Sequence, residues 1–141
     1  MESTVDVQQP MSDNVSTIFI LLVVFQMKHF VADFPLQFGF MVVAKARKGW
    51  DFAPALALHC AVHMIFTLCI TLVINPRLWW LSLVDFATHF IMDRIKSGPR
   101  FLGRFDNVER QPFWICFGFD QMVHHLTSYF IIYQLVSQTY F

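Results

Sequence analysis

With 141 residues the chain has the size of one domain. Hydrophobic residues make up 56% of it and charged residues 14%, with a mean hydropathy of +0.50. That excludes an ordinary soluble domain, in which about 25% of residues are charged. Ten basic residues balance ten acidic ones, so the chain lacks the basic signature of a nucleic-acid binder.

Residues 1–14 are polar and acidic (Glu2, Asp6, Asp13) and lack the positive start of a signal peptide, so the first hydrophobic segment is expected to stay as a helix. That segment covers 15–34 and stops at Pro35. A shorter apolar stretch, 36–44, cannot cross a bilayer and is expected to be interfacial or re-entrant. It leads into Lys45, Arg47 and Lys48, then Trp50. A second long helix is predicted over 52–74, with Pro54 in its first turn, where a missing N–H costs nothing. Asn75-Pro76 reads as a tight turn. It makes the second and third helices (52–74 and 78–95) antiparallel neighbours. Ser97-Gly98-Pro99 ends the third helix. The following loop, to Arg110, interleaves Arg100, Arg104 and Arg110 with Phe101, Leu102 and Phe105. The fourth helix covers 112–136. Three cysteines, Cys60, Cys69 and Cys116, lie in apolar runs without C-x-x-C spacing and read as small buried hydrophobes. Cys60, beside His59, is the one placed to join a metal site.

Each of the four long segments approaches the roughly 20 residues a spanning helix needs. The expected fold is therefore an all-α membrane protein, a bundle of four transmembrane helices behind a polar tail. Basic residues lie in the first loop (Lys45, Arg47, Lys48) and the third (Lys96, Arg100, Arg104, Arg110), against Arg77 alone on the other side. The positive-inside rule puts loops one and three in the cytoplasm and both termini on the non-cytoplasmic side. Lys45, Arg47, Lys48, Arg100 and Arg104 are then expected at lipid headgroups.

Inside these segments, ionisable residues recur at a four-residue step: His29 with Asp33, His59 with His63, Asp85 with His89 and Asp93, and Asp120 with His124. That step places both members on one helix face. Each such group costs roughly 2.5–3.5 kcal/mol at the bilayer centre, so four helices accepting that cost imply a shared purpose. Depth can be counted from the helix ends at 1.5 Å per residue. His63 is twelve residues before Asn75 and His89 thirteen after Pro76, so they lie level; His59 and Asp93 are level in the same way. His29, His59, Asp93 and Asp120 form an outer layer, and His63, His89 and His124 a deeper one. Asp33 falls at the cytoplasmic mouth and Asp85 toward the far side. His125 points about 100° from His124, to another face.

Imidazole and carboxylate together suit a divalent metal, zinc first, with manganese or iron as alternatives. His29, His59, His63, His89, Asp93 and His124 are the candidate ligands. Asp85 and Gln121 are candidates to orient the histidines by hydrogen bonding, and Asp120 or Asp33 to move protons. Three functions fit. The first is a metal-dependent hydrolase acting on a lipid or lipid-linked group at the cytoplasmic leaflet. The second is an ion or proton relay or transporter, and the third a non-enzymatic envelope protein with a structural metal. The bundle can close as a monomer or pair as a homodimer.

The run K-H-F-V-A-D-F-P-L-Q at Lys28–Gln37, H-x-x-x-H at His59–His63, D-x-x-x-H-x-x-x-D at Asp85–Asp93 with Lys96, and D-Q-x-x-H at Asp120–His124 resembles a family of small bacterial and phage membrane proteins of unknown function. A looser similarity is to inner-membrane proteins described as metal-dependent hydrolases, which carry comparable intramembrane motifs. The resemblance implies residence in a bacterial inner membrane.

Overall fold

The computed structural model describes residues 9–140, with side chains over 14–139; Glu2 and Asp6 of the expected polar tail lie outside the described residues. The described residues are helical, without strands: α1 (Gln9–Asp33), α2 (Gly39–Lys45), α3 (Ala53–Ile74), α4 (Leu81–Ser97) and α5 (Gln111–Tyr140), with 3-10 turns at Pro76–Leu78 and Leu102–Arg104. Helix α1 starts before the expected residue 15. The start of the expected third helix is a separate 3-10 turn, because Pro76 and the Asn75 side chain, which accepts from the Arg77 N–H at 3.2 Å, hold a tight corner there. The stretch expected to lie at an interface folds as α2, which buries Met41, Ala44 and Lys45.

Helices α3 and α4 pack as an antiparallel hairpin, α5 packs on α4 and α1, and α1 also touches α3. The Asn75 amide donates to the Gln138 carbonyl and the Thr139 hydroxyl, tying the hairpin turn to the end of α5. Helix α2 lies against α3 and α4. Its end is held by side chains of α4. Arg94 donates to the carbonyls of Lys45 and Arg47, Ser97 lies 3.1 Å from the Lys45 carbonyl, and the Arg94 guanidinium stacks 3.6 Å from the Phe52 ring. Carbonyls at a helix end need such partners, and these ones fix where Lys45 sits.

The packing inverts the usual arrangement. Phe19, Met27 and Phe30 of α1, Leu58, Ile65 and Val73 of α3, Leu83 and Ile91 of α4, and Ile115, Phe119 and Leu126 of α5 are exposed. The buried set includes His59, His63, Asp85, His89, Asp120 and His124. Two stretches, Asn14–Asp33 and Ala53–Ile74, are long and apolar enough to cross a membrane, with hydropathies of 1.9 and 2.2. At one end the interior is apolar, where Leu21, Phe25, Leu81, Ile131 and Leu135 pack together. The ionisable residues gather beyond it.

Candidate metal centre

The four-residue spacings do what helix geometry requires: each pair faces inward from its own helix. His29 Nε2 and Asp33 Oδ2 of α1 lie 3.0 Å apart. The rings of His59 and His63 on α3 are 4.9 Å apart, centre to centre. His89 of α4 sits between His63 and His124, with ring centres at 3.8 and 4.2 Å. Four helices thus bring His29, His63, His89 and His124 into one contiguous group, which His59, Asp33, Asp93 and Asp120 border.

Asp33 is the hub of this group. Its Oδ1 lies 3.1 Å from His63 Nε2 and 3.3 Å from His59 Nε2, while its Oδ2 meets His29. The sequence count put Asp33 at the mouth. Counting measures height along a helix and cannot see the sideways approach of α1 to α3, which carries the carboxylate between three rings. His59 Nε2 reaches Asp93 Oδ2 as well, at 3.2 Å. Asp85 lies at the inner end, as its height implied. His125, expected on another face, is half-buried, with its ring centre 5.5 Å from that of His29.

Three lysines complete the electrostatics. Lys28 Nζ lies 2.5 Å from Asp85 Oδ2, which also accepts from the Thr67 hydroxyl at 2.7 Å. Lys45 Nζ lies 3.4 Å from Asp93, and Lys96 Nζ 2.6 Å from Asp120. Lys45 was expected at headgroups, but it is buried because α2 folds back onto α4. Arg47, Lys48, Arg100 and Arg104 are exposed. Four carboxylates (Asp33, Asp85, Asp93, Asp120) against three lysines leave one negative charge while the histidines are neutral. It falls on Asp33, the carboxylate held by histidines alone.

Sequence reasoning did not pair Lys28, Lys45, Lys96, Thr67 or Gln37 with the cluster: Lys45 was expected at headgroups, Lys28, Gln37 and Lys96 stood in the motifs without a role, and Thr67 was not singled out. Gln37 Nε2 lies 3.2 Å from His59 Nε2. Lys28 had a usable signal: a lysine inside a long apolar run is functional by default. Gln121, expected as an orienting group, lies 3.3 Å from His29 and donates to Asp120 Oδ2 at 3.0 Å.

Three sets of residues offer ligand atoms within 4.8 Å of one another: His29, His63 and His89; Asp33, His59 and His63; Asp93, Asp120 and His124. Tetrahedral ligands on ~2.0–2.1 Å bonds stand about 3.3 Å apart, so modest side-chain rotation would close any of these sets on an ion. His89 is already oriented for this. Its Nδ1 lies 2.9 Å from the Asp85 carbonyl, and donation there leaves Nε2 as a lone-pair donor. That Nε2, both nitrogens of His124, His63 Nδ1, Asp85 Oδ1 and Asp120 Oδ1 are buried without a hydrogen-bond partner. A cleft of about 100 Å³ opens onto the group, lined by Asp33, Gln37, Lys45, Asp93, Lys96 and Asp120 among others.

The model of the DUF3307 family, described as a protein of unknown function, matches residues 18–141. The chain belongs to that family. The DUF3307 match takes in every histidine of the cluster and all four of its carboxylates. No curated protein and no solved structure matches the chain.

Proposed function

We propose that this DUF3307 chain is a membrane-embedded, metal-dependent hydrolase that acts on a lipid or lipid-linked group at the cytoplasmic leaflet of a bacterial inner membrane. One observation carries the reading: buried ring nitrogens and carboxylate oxygens without hydrogen-bond partners converge from α3, α4 and α5, beside His29 and Asp33 of α1. An unsatisfied buried polar group costs about 1–3 kcal/mol. A divalent cation would satisfy several of them at once and offset the negative charge on Asp33.

All four long helices turn apolar side chains outward, which supports four spans, although among the described residues two, Asn14–Asp33 and Ala53–Ile74, are long and apolar enough to cross by themselves. With the basic loops inside, both termini are outside and the cleft faces the cytoplasmic half.

His63 and His89 are the central ligands in this reading, with His29, His59, Asp93 or His124 completing the set. Zinc suits the nitrogen-rich donors best, with manganese or iron next. A bound divalent ion would supply Lewis acidity toward a carbonyl or phosphoryl oxygen and toward water. The protein's own part is to hold and move protons. Lys96 and Gln121 grip Asp120 Oδ2 and fix the carboxyl orientation, leaving Oδ1 to accept a proton. Asp33 holds three histidine rings in place.

A relay across the membrane is less well supported. Beyond Lys28, Thr67 and Asp85 the interior closes with Leu21, Phe25, Leu81, Ile131 and Leu135. The hydroxyls of Thr71 and Ser82 on that side are spent on backbone carbonyls. Elemental analysis of the purified protein tests the proposal. It should carry zinc, manganese or iron, and His63→Ala and His89→Ala should lose it while staying helical. Metal-free wild-type protein that still hydrolyses its substrate would refute it.

A further inference from the structure

A second, larger cavity of about 400 Å³ adjoins the metal centre. It shares Gln37, Lys45, Lys96 and Phe117 with the small cleft onto the histidines. The two lysines therefore stand on the wall between the cavity and the cluster. Elsewhere the wall is mainly apolar, with Val42, Leu102, Phe105, Phe113 and Cys116 along it. Its one acidic residue, Asp106, is exposed.

The volume falls within the ~300–1,000 Å³ of small-molecule sites, and the polarity is graded from apolar wall to an inner end with two carboxylate-paired lysines. Lys96 is the more accessible of the two lysines, with 28% of its side chain exposed against 10% for Lys45. Its ammonium lies 4.7 Å from the Phe117 ring centre. Each ammonium has three donors and one carboxylate partner, so both keep hydrogen-bonding capacity for another anion.

We propose that this cavity holds an anionic amphiphile, a lipid phosphate whose headgroup lies between Lys45 and Lys96 and whose chain lies along Val42, Phe113 and Cys116. The N–H donors that the two ammonium groups keep beyond their carboxylate partners select an anionic headgroup over a neutral one. The apolar wall selects a lipid over free phosphate. The proposal deepens the hydrolase reading and rests on it for the purpose of the site: the headgroup is delivered to the cleft that opens on Asp33 and Asp120.

The test is equilibrium binding to the full-length protein in non-ionic detergent, with metal content measured on the same samples. The probes are a short-chain phosphatidic acid, the diacylglycerol with the same chains, and inorganic phosphate. Phosphatidic acid should bind at least 10-fold tighter than either of the others. Lys96→Gln should weaken it at least 10-fold, and Lys96→Arg, which keeps the charge, should restore most of the loss. Cys116→Trp, which fills the cavity and leaves both lysines in place, should weaken it by a similar factor and keeps the test decisive if Lys96→Gln fails to fold. Equal binding of diacylglycerol and phosphatidic acid would overturn the headgroup role. Phosphate binding as tight as phosphatidic acid and indifferent to Cys116→Trp would overturn the amphiphile in favour of the free ion. Protein that binds phosphatidic acid through Lys96 but neither carries nor takes up zinc, manganese or iron would sink the hydrolase reading and leave this site standing.

Discussion

Lys28 of α1 and Asp85 of α4 meet at 2.5 Å with side-chain exposures of 3% and 0%, the most deeply buried lysine–carboxylate pair among the described residues. The pair joins two helices through residues 57 apart in sequence, and the Thr67 hydroxyl adds α3 to the same carboxylate. Removing one partner of such a pair leaves an uncompensated buried charge, at a cost of about 3–5 kcal/mol. Lys28→Met and Asp85→Leu should each lower the thermal midpoint in detergent by many degrees. The double variant should recover much of the loss, because it buries no lone charge. A double variant as unstable as the sum of the singles would show that the pair is not coupled.

Asp33 is the carboxylate of the cluster without a lysine partner, and it touches three histidines. Asp33→Asn keeps the shape and removes the charge. Metal affinity, measured by competition with a coloured chelator, should fall at least 10-fold, the range seen when the groups that orient or balance ligands are lost. Unchanged affinity would take Asp33 out of the metal site.

Asp120 separates catalyst from scaffold. If its free Oδ1 accepts the proton, Asp120→Asn should lose activity by at least 100-fold, a typical share for general-base catalysis, with metal content and fold retained. His89→Ala should lose both metal and activity. An Asp120→Asn variant that is as active as wild type with metal bound would remove the base assignment and favour a structural metal.

The orientation is open to direct labelling. Single cysteines introduced at Lys48 and Arg104, both exposed, should react with a membrane-impermeant maleimide only after the cytoplasmic side is opened. A cysteine at Arg77 should react in intact spheroplasts. Labelling of position 104 from outside would invert the topology and turn the cleft toward the other leaflet.

Much of the histidine–aspartate cluster was legible along the chain because an α-helix converts spacing into direction and distance into height. The step from Asp85 to His89 to Asp93 can face only one way. The Asn75-Pro76 turn sets α3 and α4 side by side in fixed register, so His63 and His89 had to be level, and their ring centres are 3.8 Å apart. Helix type and the inward-polar, outward-apolar pattern follow from the same local geometry. Nothing local states which helices touch or how closely. The sideways approach of α1 to α3 decides that Asp33 sits among three imidazoles. The fold of α2 onto α4 decides that Lys45 reaches Asp93 and leaves the surface. The pairing of Lys96 with Asp120, and the cavity those lysines border, depend on where the loop after α4 returns to α5. Each is a contact between residues far apart in sequence. Its energy comes from packing and desolvation of surfaces that meet only in the folded chain.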